Sequence, residues 1–478
     1  MAGSRFSRKL PAIALLAAGL MQSSWGASYA NWNHHQPVTI NPGTGVTAAV
    51  TNFPVLVYLT SANSSVFTSS RTDGFDVQFT ASDGSTPLSF QRQSYNKAAQ
   101  TAEFWVLIPS VAANPTKTSF TMYWGNSAAT DAQNPAATFD TAAGYNYRAV
   151  WHMSAASGNE PDQTKSGHDL VPSNSPALST GGPVGAGNNY SFDGSSQYFT
   201  ANNSGGTSSS LIFPQGGPLT ISAWINPSSS PTGVAIMGKI NTGGIGTWTG
   251  SYGWVYNGST GGDLRFNDEQ GAAGFARCDY SVNSGSWTHV VWVLQDTGTS
   301  ATSNNVYING VLSGTTGDAN NTGATSRTDS LSFTIGVDAF LSGQSTSEYW
   351  GGNIQEVQIA KAAWSASWVA LAYQNQSTPS NLLTFGTTSV LPGAGSLSAI
   401  KPQLAMKAGN LEYVMSKAAP VEIRFVDMSG KLVLDINRTE SAGSHTVQLN
   451  KTNLSQGAYV VGIKTAGFEK TMTVNITR

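Results

Sequence analysis

The sequence predicts an all-β protein made of three β-sandwich domains. Three observations predict it. Charge is sparse at 10% of residues, while Gly alone supplies 51 of 478. That composition suits many short strands joined by turns. Apolar and aromatic runs recur along the whole chain, as in "FPVLVYL" (53–59), "AEFWVLIP" (102–109), "LTISAWI" (219–225), "WTHVVWVL" (287–294) and "GAYVVGI" (457–463). They have strand length and are punctuated by Gly, Pro, Asn and Asp. The length also exceeds what one hydrophobic core serves and gives about three domains as a prior.

Residues 1–30 stand apart. Arg5, Arg8 and Lys9 precede the apolar run "LPAIALLAAGLM" (10–21), and Ser28-Tyr29-Ala30 offers a small-x-small cleavage site. This is the pattern of a secretory signal peptide, so the mature chain is expected to begin at Asn31. No later run reaches the roughly 18 apolar residues of a spanning helix, so no membrane span is expected. The single cysteine, Cys278, cannot form an internal disulfide and reads as a small core residue.

Residues 31–145 form the first expected sandwich. In "FDVQFT" (75–80), Phe75, Val77 and Phe79 fall on one face, with Asp76, Gln78 and Thr80 on the other. His34 and His35, just past the cleavage site, read as a mobile polar end. "NFPVLVYL", "FDVQFTASDGSTPLSF", "AEFWVLIPSV" and "FTMYWGNSAATDAQNPAATFD" together resemble a bacterial domain of unknown function that often precedes a laminin-G-like jellyroll.

Residues 146–386 carry "RAVWHMS", "YSFDGSSQYFT", "LTISAWINP", "WTHVVWVL", "VYINGVLSG", "FTIGVDA" and "YWGGNIQEVQIAKAAWSASWVALAYQNQ" in that order. They resemble the laminin-G-like, concanavalin A-like jellyroll. Asn309-Gly310 between apolar runs predicts a tight hairpin, because both positions must tolerate positive φ. Ser365 is placed to cap a short helix whose Trp368, Leu371 and Ala372 pack on the sandwich edge.

The stretch 387–395 has linker composition. Beyond it the charge changes. Residues 396–478 carry 10 Lys/Arg against 6 Asp/Glu, a net of +4, whereas 31–395 carry 11 against 20, a net of −9. The tail alternates through "VEIRFVD", "GKLVLDI", "HTVQLN", "GAYVVGIKT" and "KTMTVNI". It resembles the C-terminal sorting domain of type IX secretion, which implies an Ig-like sandwich that engages the secretion machinery. The expected location is then secreted or at the outer cell surface. The acidic front part excludes nucleic acid as a natural partner, since a polyanion is repelled.

Catalysis finds little support. A glycosidase needs two carboxylates about 5–10 Å apart, hence acids at i and i+2 or i+4 on one strand face. No such pair occurs on a predicted strand of residues 31–395; Asp268 and Glu269 are adjacent and would face opposite ways. The six histidines have no G-x-S-x-G partner, and no Cys/His spacing fits zinc. The chain reads as a non-enzyme.

Resemblance to the jellyroll implies one structural calcium ion, held by oxygen ligands. Asp162 and Asp169 lie in the matching early loop "NEPDQTKSGHDL", and Gln355 stands where the family has an aspartate. By alternation Gln355 shares a face with Val357 and Ile359, and Glu356 faces away. Resemblance also implies carbohydrate binding. Stacking surfaces for sugar rings are expected at Trp248, Tyr252 and Trp254 in the glycine-rich "NTGGIGTWTGSYGWVY" (241–256) and at Tyr349 and Trp350. Trp105, Trp224, Trp287 and Trp292 lie in apolar runs and read as core.

The expected function is an exported surface adhesion or binding protein that recognises a glycan through the central jellyroll. One alternative is a structural surface protein making protein–protein contacts, and another is a polysaccharide hydrolase with an unrecognised site.

Overall fold

Burial alternates along His34–Ile40, whereas Val50–Leu59 and Thr101–Val111 carry unbroken buried runs, and together these strands build the N-terminal sandwich. A computed structural model describes residues 29–139, 146–205, 209–213, 217–228, 234–241, 249–257, 263–268, 280–295, 302–318, 331–338, 348–390, 404–407, 410–415, 419–440, 443–449, 454–465 and 468–476. In the first sheet, His34–Ile40 pairs with Thr118–Trp124, which pairs in turn with Gln78–Ala81. The second sheet runs Val50–Leu59, Thr101–Val111, Phe90–Asn96. Between them Phe79 meets Phe90 at 5.3 Å and Phe104 at 5.4 Å, edge to face. That geometry aligns ring edges with ring faces.

One expectation changes here. His34 and His35 are not a mobile end: they lie in a paired strand, stacked on Trp124 and Tyr123. Asp76, on the face opposite Val77 and Phe79, is fully buried as well. Its carboxylate accepts from the backbone N–H of Arg71 (2.9 Å), Gly125 (2.8 Å) and Asn126 (3.2 Å), which satisfies a group that burial would otherwise penalise.

The central region forms the expected two-sheet jellyroll. One sheet orders Val311–Asp318, Thr302–Ile308, Thr288–Gln295, Leu219–Pro227, Gly351–Ala360, Asn189–Asp193 and Ala177–Ser179, with Tyr147–Trp151 also on Gly351–Ala360. The other orders Tyr280–Ser281, Asp263–Asp268, Thr249–Asn257, Val234–Asn241, Thr334–Ile335, Tyr198–Ala201 and Leu170–Ser173. The predicted hairpin is present. Asn309 (φ 50) and Gly310 (φ 79) form its two-residue turn.

The first jellyroll sheet is buried on both faces. Ile221, Ala223, Val290 and Trp292 enter the core between the jellyroll sheets. Their neighbours Trp224, Val291 and Val293 join a second core, shared with Val55, Leu56 and Trp105 of the N-terminal sandwich. The helix Ala366–Ser377 is wedged into that shared core. Ser365 caps it as expected, accepting from Trp368 N–H at 3.2 Å. Its side chains do not stop at the jellyroll edge, however. Trp368 packs edge-on to Phe53 at 4.8 Å. Asn375, fully buried, accepts from Leu56 N–H (2.7 Å) and donates to Leu56 C=O (3.0 Å), as a strand partner would.

After the helix the chain returns to the first sandwich. Leu383–Phe385 and Ser389–Val390 both pair with His34–Ile40. Residues 383–390 thus complete a sheet that began some 350 positions earlier, so the end of the 146–386 segment and part of the expected 387–395 linker belong to the first sandwich, which also shares a core with the jellyroll.

The tail folds as two sheets around its own core. Leu404–Lys407, Asn410–Met415 and Gly443–Val447 form one; Leu432–Glu440, Ala419–Asp427, Gly457–Thr465 and Phe468–Ile476 form the other. Val421, Ile423, Phe425, Val461 and Ile463 fill the interior. Among the described residues, no helix is long and apolar enough to cross a membrane.

Candidate functional site

Most of the predicted sugar-stacking residues are core residues. Tyr252, Trp254 and Trp350 are 0% exposed. Trp254 packs edge-on to Phe266 at 5.3 Å, Trp350 meets Tyr256 at 5.9 Å, and Tyr252 donates to Leu211 C=O at 2.9 Å. A stacked sugar needs an exposed ring face, and these rings have none, so they are corrected to core positions. The physical reason lies in the glycines. Gly253 is not in a loop but inside the strand Thr249–Asn257, facing Gly238 across the sheet. A Cβ on Gly238 (φ +145) would stand 2.5 Å from the Cα of Gly253. Glycine serves close backbone approach at a bulge here. Trp248, Cys278 and Glu269 lie outside the described residues.

Of the predicted set, Tyr349 is half-buried, with its ring 6.3 Å from that of Tyr198. Tyr198 and Thr200 point outward from the second jellyroll sheet, because the alternate residues Phe199 and Ala201 enter the core. Their cross-strand partners Ser173 and Val171 are half-buried too. The N-terminal sandwich packs on the other sheet. On this one the central residues that face away from the core, Ala235, Val255 and Thr334, are buried, and Tyr198, Thr200, Val171, Ser173 and Tyr349 form a half-buried patch at one end.

The three predicted calcium ligands are engaged within the chain. Asp162 accepts from the N–H of Val150 (3.1 Å), Thr164 (3.0 Å) and His168 (3.0 Å). Burial pushes its carboxyl up, against those three donors. Asp169 accepts from Asp162 N–H at 2.8 Å. Gln355 accepts from Val184 N–H (3.1 Å) and donates to the C=O of Val184 (2.9 Å) and Asn188 (2.7 Å). Gln355 does not share a face with Val357 and Ile359, as alternation predicted. Glu356, at φ 54, forms a bulge, and the pairing with Leu219–Pro227 slips by one between Ser222 and Trp224. Ile354, Val357 and Ile359 therefore point into the jellyroll, while Gln355 reaches the loop at 184–188.

That bulge creates a site the sequence did not suggest. Glu356 is buried and bonds His152 Nδ1 at 2.7 Å, and Gln358 donates to Glu356 at 2.7 Å. His152 Nε2 reaches Gln91 of the N-terminal sandwich at 2.9 Å, and the imidazole stacks on Trp105 at 5.3 Å. Nearby, Glu103 accepts from Ala186 N–H at 2.8 Å. Burial is the largest single influence and works against a charged His152, but Glu356, with smaller help from Glu160 and Glu103, outweighs it and raises the pKa. Every member is enclosed, so the cluster joins two domains rather than meeting a substrate. A second buried histidine behaves in the opposite way. His289 meets Ser222 Oγ at 3.0 Å, and burial pushes its pKa down to about 3.

The remaining jellyroll carboxylates with resolved partners are also held by backbone. Glu160 accepts from the N–H of Met153 (2.9 Å), Ser154 (2.9 Å) and Ala155 (2.7 Å). Asp193 accepts from Ser195, Ser196 and Gln197 within one turn.

Residues 73–153 match a domain of unknown function (DUF2341). Residues 192–370 match the concanavalin A-like lectin/glucanases superfamily, and residues 408–476 the secretion system C-terminal sorting domain. No curated protein matches the chain. Among solved structures, one similar chain is domain 4 of AbnA, an extracellular GH43 arabinanase from Geobacillus stearothermophilus, in complex with arabinotriose. It is 16% identical, with 48% of this chain and 100% of that one covered, at a TM-score of 0.34. Another is the botulinum neurotoxin serotype D ligand binding domain in complex with N-acetylneuraminic acid (10% identical, 66% and 70% covered, TM-score 0.35). A third is the binding domain of Paraclostridial Mosquitocidal Protein 1 (11% identical, 67% and 75% covered, TM-score 0.36).

Proposed function

We propose, starting from a chain that carries a domain of unknown function, a concanavalin A-like domain and a secretion sorting domain in that order, that this is a surface-delivered, non-catalytic protein that binds glycan through its jellyroll. The observation that carries the reading is the half-buried Tyr198–Tyr349 pair at the end of the second jellyroll sheet, the sheet on which the N-terminal sandwich does not pack. Tyrosine suits such a face, since its ring offers apolar area and its hydroxyl a hydrogen bond. The committed carboxylates of Glu160, Asp193 and Glu356 favour binding over hydrolysis.

The test is a glycan array probed with mature protein (31–478), followed by affinity and melting curves for Tyr349→Ala. Binding should weaken several-fold, since each stacked ring is worth on the order of 1 kcal/mol, while the melting temperature barely moves. Unchanged affinity for every glycan bound would remove this face. Polysaccharide turnover lost on Asp268→Ala or Glu269→Ala would promote the hydrolase reading. A structural role in protein contacts is the second reading. It is favoured by Val311 and Leu312, which are 66% and 48% exposed at the edge of the covered sheet.

A further inference from the structure

We propose that the N-terminal sandwich of the cut chain holds a second glycan site, shaped for a pyranose ring, at the position that the Tyr29 side chain fills in the uncut chain. The inference goes beyond the jellyroll reading and rests on the export reading, with cleavage after Ala30. The penultimate residue of that leader is not a loose end. Tyr29 is 7% exposed, stacked on Tyr123 at 4.4 Å and 28°, with Trp32 at 4.9 Å. Trp32 N–H donates to Tyr29 C=O at 3.0 Å. Cleavage removes Tyr29 and leaves a slot between two aromatic side chains with its former occupant gone.

A polar groove of about 510 Å3 adjoins the slot through Trp32. Its lining includes the amides of Asn31, Asn33, Gln78 and Asn126 and the hydroxyl of Ser127. The walls are held in place. Trp32 Nε1 donates to Asp76 C=O at 2.7 Å, and the buried Asp76 carboxylate fixes the N–H groups of Gly125 and Asn126. Side chains ordered beforehand lower the entropy cost of binding.

This chemistry selects the ligand. A pyranose is a six-membered ring with an apolar C–H face and a rim of hydroxyls. Its face can replace the phenol ring of Tyr29, and its hydroxyls can both give to and accept from side-chain amides. No side chain lining the groove is charged, and the α-ammonium that cleavage creates on Asn31 can donate to a sugar hydroxyl.

The experiment compares two full-length secreted forms, 31–478 and 29–478, the second retaining Tyr29-Ala30. Both are titrated with neutral gluco-, galacto-, manno-, xylo- and chito-oligosaccharides. Trp32→Ala and Asn126→Ala are made in the first form, with melting curves to verify folding. The expected result is binding of at least one series by 31–478, weakened tenfold or more in 29–478 and in both substituted forms. Equal binding by the two forms would overturn the proposal. So would binding that survives Trp32→Ala and Asn126→Ala but falls with Tyr349→Ala, which would leave the jellyroll reading intact. Absence of binding in every form would overturn both.

Discussion

Truncating Trp254 and truncating Tyr349 should have opposite signatures. Trp254 is enclosed by the jellyroll core, so Trp254→Ala should cost about 3–5 kcal/mol of stability, read from a denaturant melt. Tyr349 is partly open, and its loss should appear in affinity instead. Histidines divide in the same residue-specific way. His289 has a folded pKa of about 3, against roughly 6.5 in an unfolded chain. The unfolded state therefore takes up a proton first as pH falls, and stability is lost from about pH 6.5 downward, at about 1.4 kcal/mol per pH unit. Between pH 7 and 5 this amounts to about 2 kcal/mol. His289→Phe should remove that part of the acid slope, and an unchanged slope would mean the imidazole is not shielded as its burial implies. His152 works in the other sense. Its raised pKa adds stability that is present below its unfolded value and lost as pH rises through the folded one.

At the scale of elements, the segment following the helix matters most. Leu382 and Leu383 are buried in the shared core, and residues 383–390 supply edge pairing to His34–Ile40. Burying each leucine is worth roughly 1.5–3 kcal/mol, so a chain ending at Ser377 should lose about 3–6 kcal/mol relative to one ending at Val390. Against a typical total of about 5–15 kcal/mol, that is enough to show as a large drop in melting temperature or soluble yield. Equal melting of the two would show that the returning strands are dispensable. This return was not legible in the sequence, because pairing between residues some 350 positions apart leaves no local pattern. Local features were legible. Asn309-Gly310 needs positive φ and Ser365 needs only a nearby N–H, so both were placed correctly. The face of Gln355 was misread because one bulged residue, Glu356, reverses an alternation count. Tyr252 and Trp254 were misread because neighbouring glycines suggested a loop, although Tyr252, Trp254 and Tyr256 alternate as a buried strand face should. The unbroken run "VVWVL" (290–294) also carried a clue. A strand solvated on one face alternates, and a continuous apolar run points to cover on both sides.

For the whole molecule, the division of the core separates what must fold together from what can be removed. One cluster spans the N-terminal sandwich and the jellyroll, whereas the tail encloses a cluster of its own. Removing residues 396–478 should therefore leave the front part folded, with its own melting transition kept and any glycan binding of the jellyroll unchanged. It should not leave export unchanged. The tail matches a secretion sorting domain, and it carries a net charge of +4 against −9 for the front, which gives the machinery a surface distinct from the cargo. In the native host, the truncated protein should lose its leader, cross the inner membrane and accumulate in the periplasm. Surface labelling with an impermeant reagent, compared with periplasmic extraction, reads the distribution. Surface display of the truncated protein at full-length levels would make the tail an ordinary domain. Loss of the folded front part on truncation would show that the separate clusters do not make it independent.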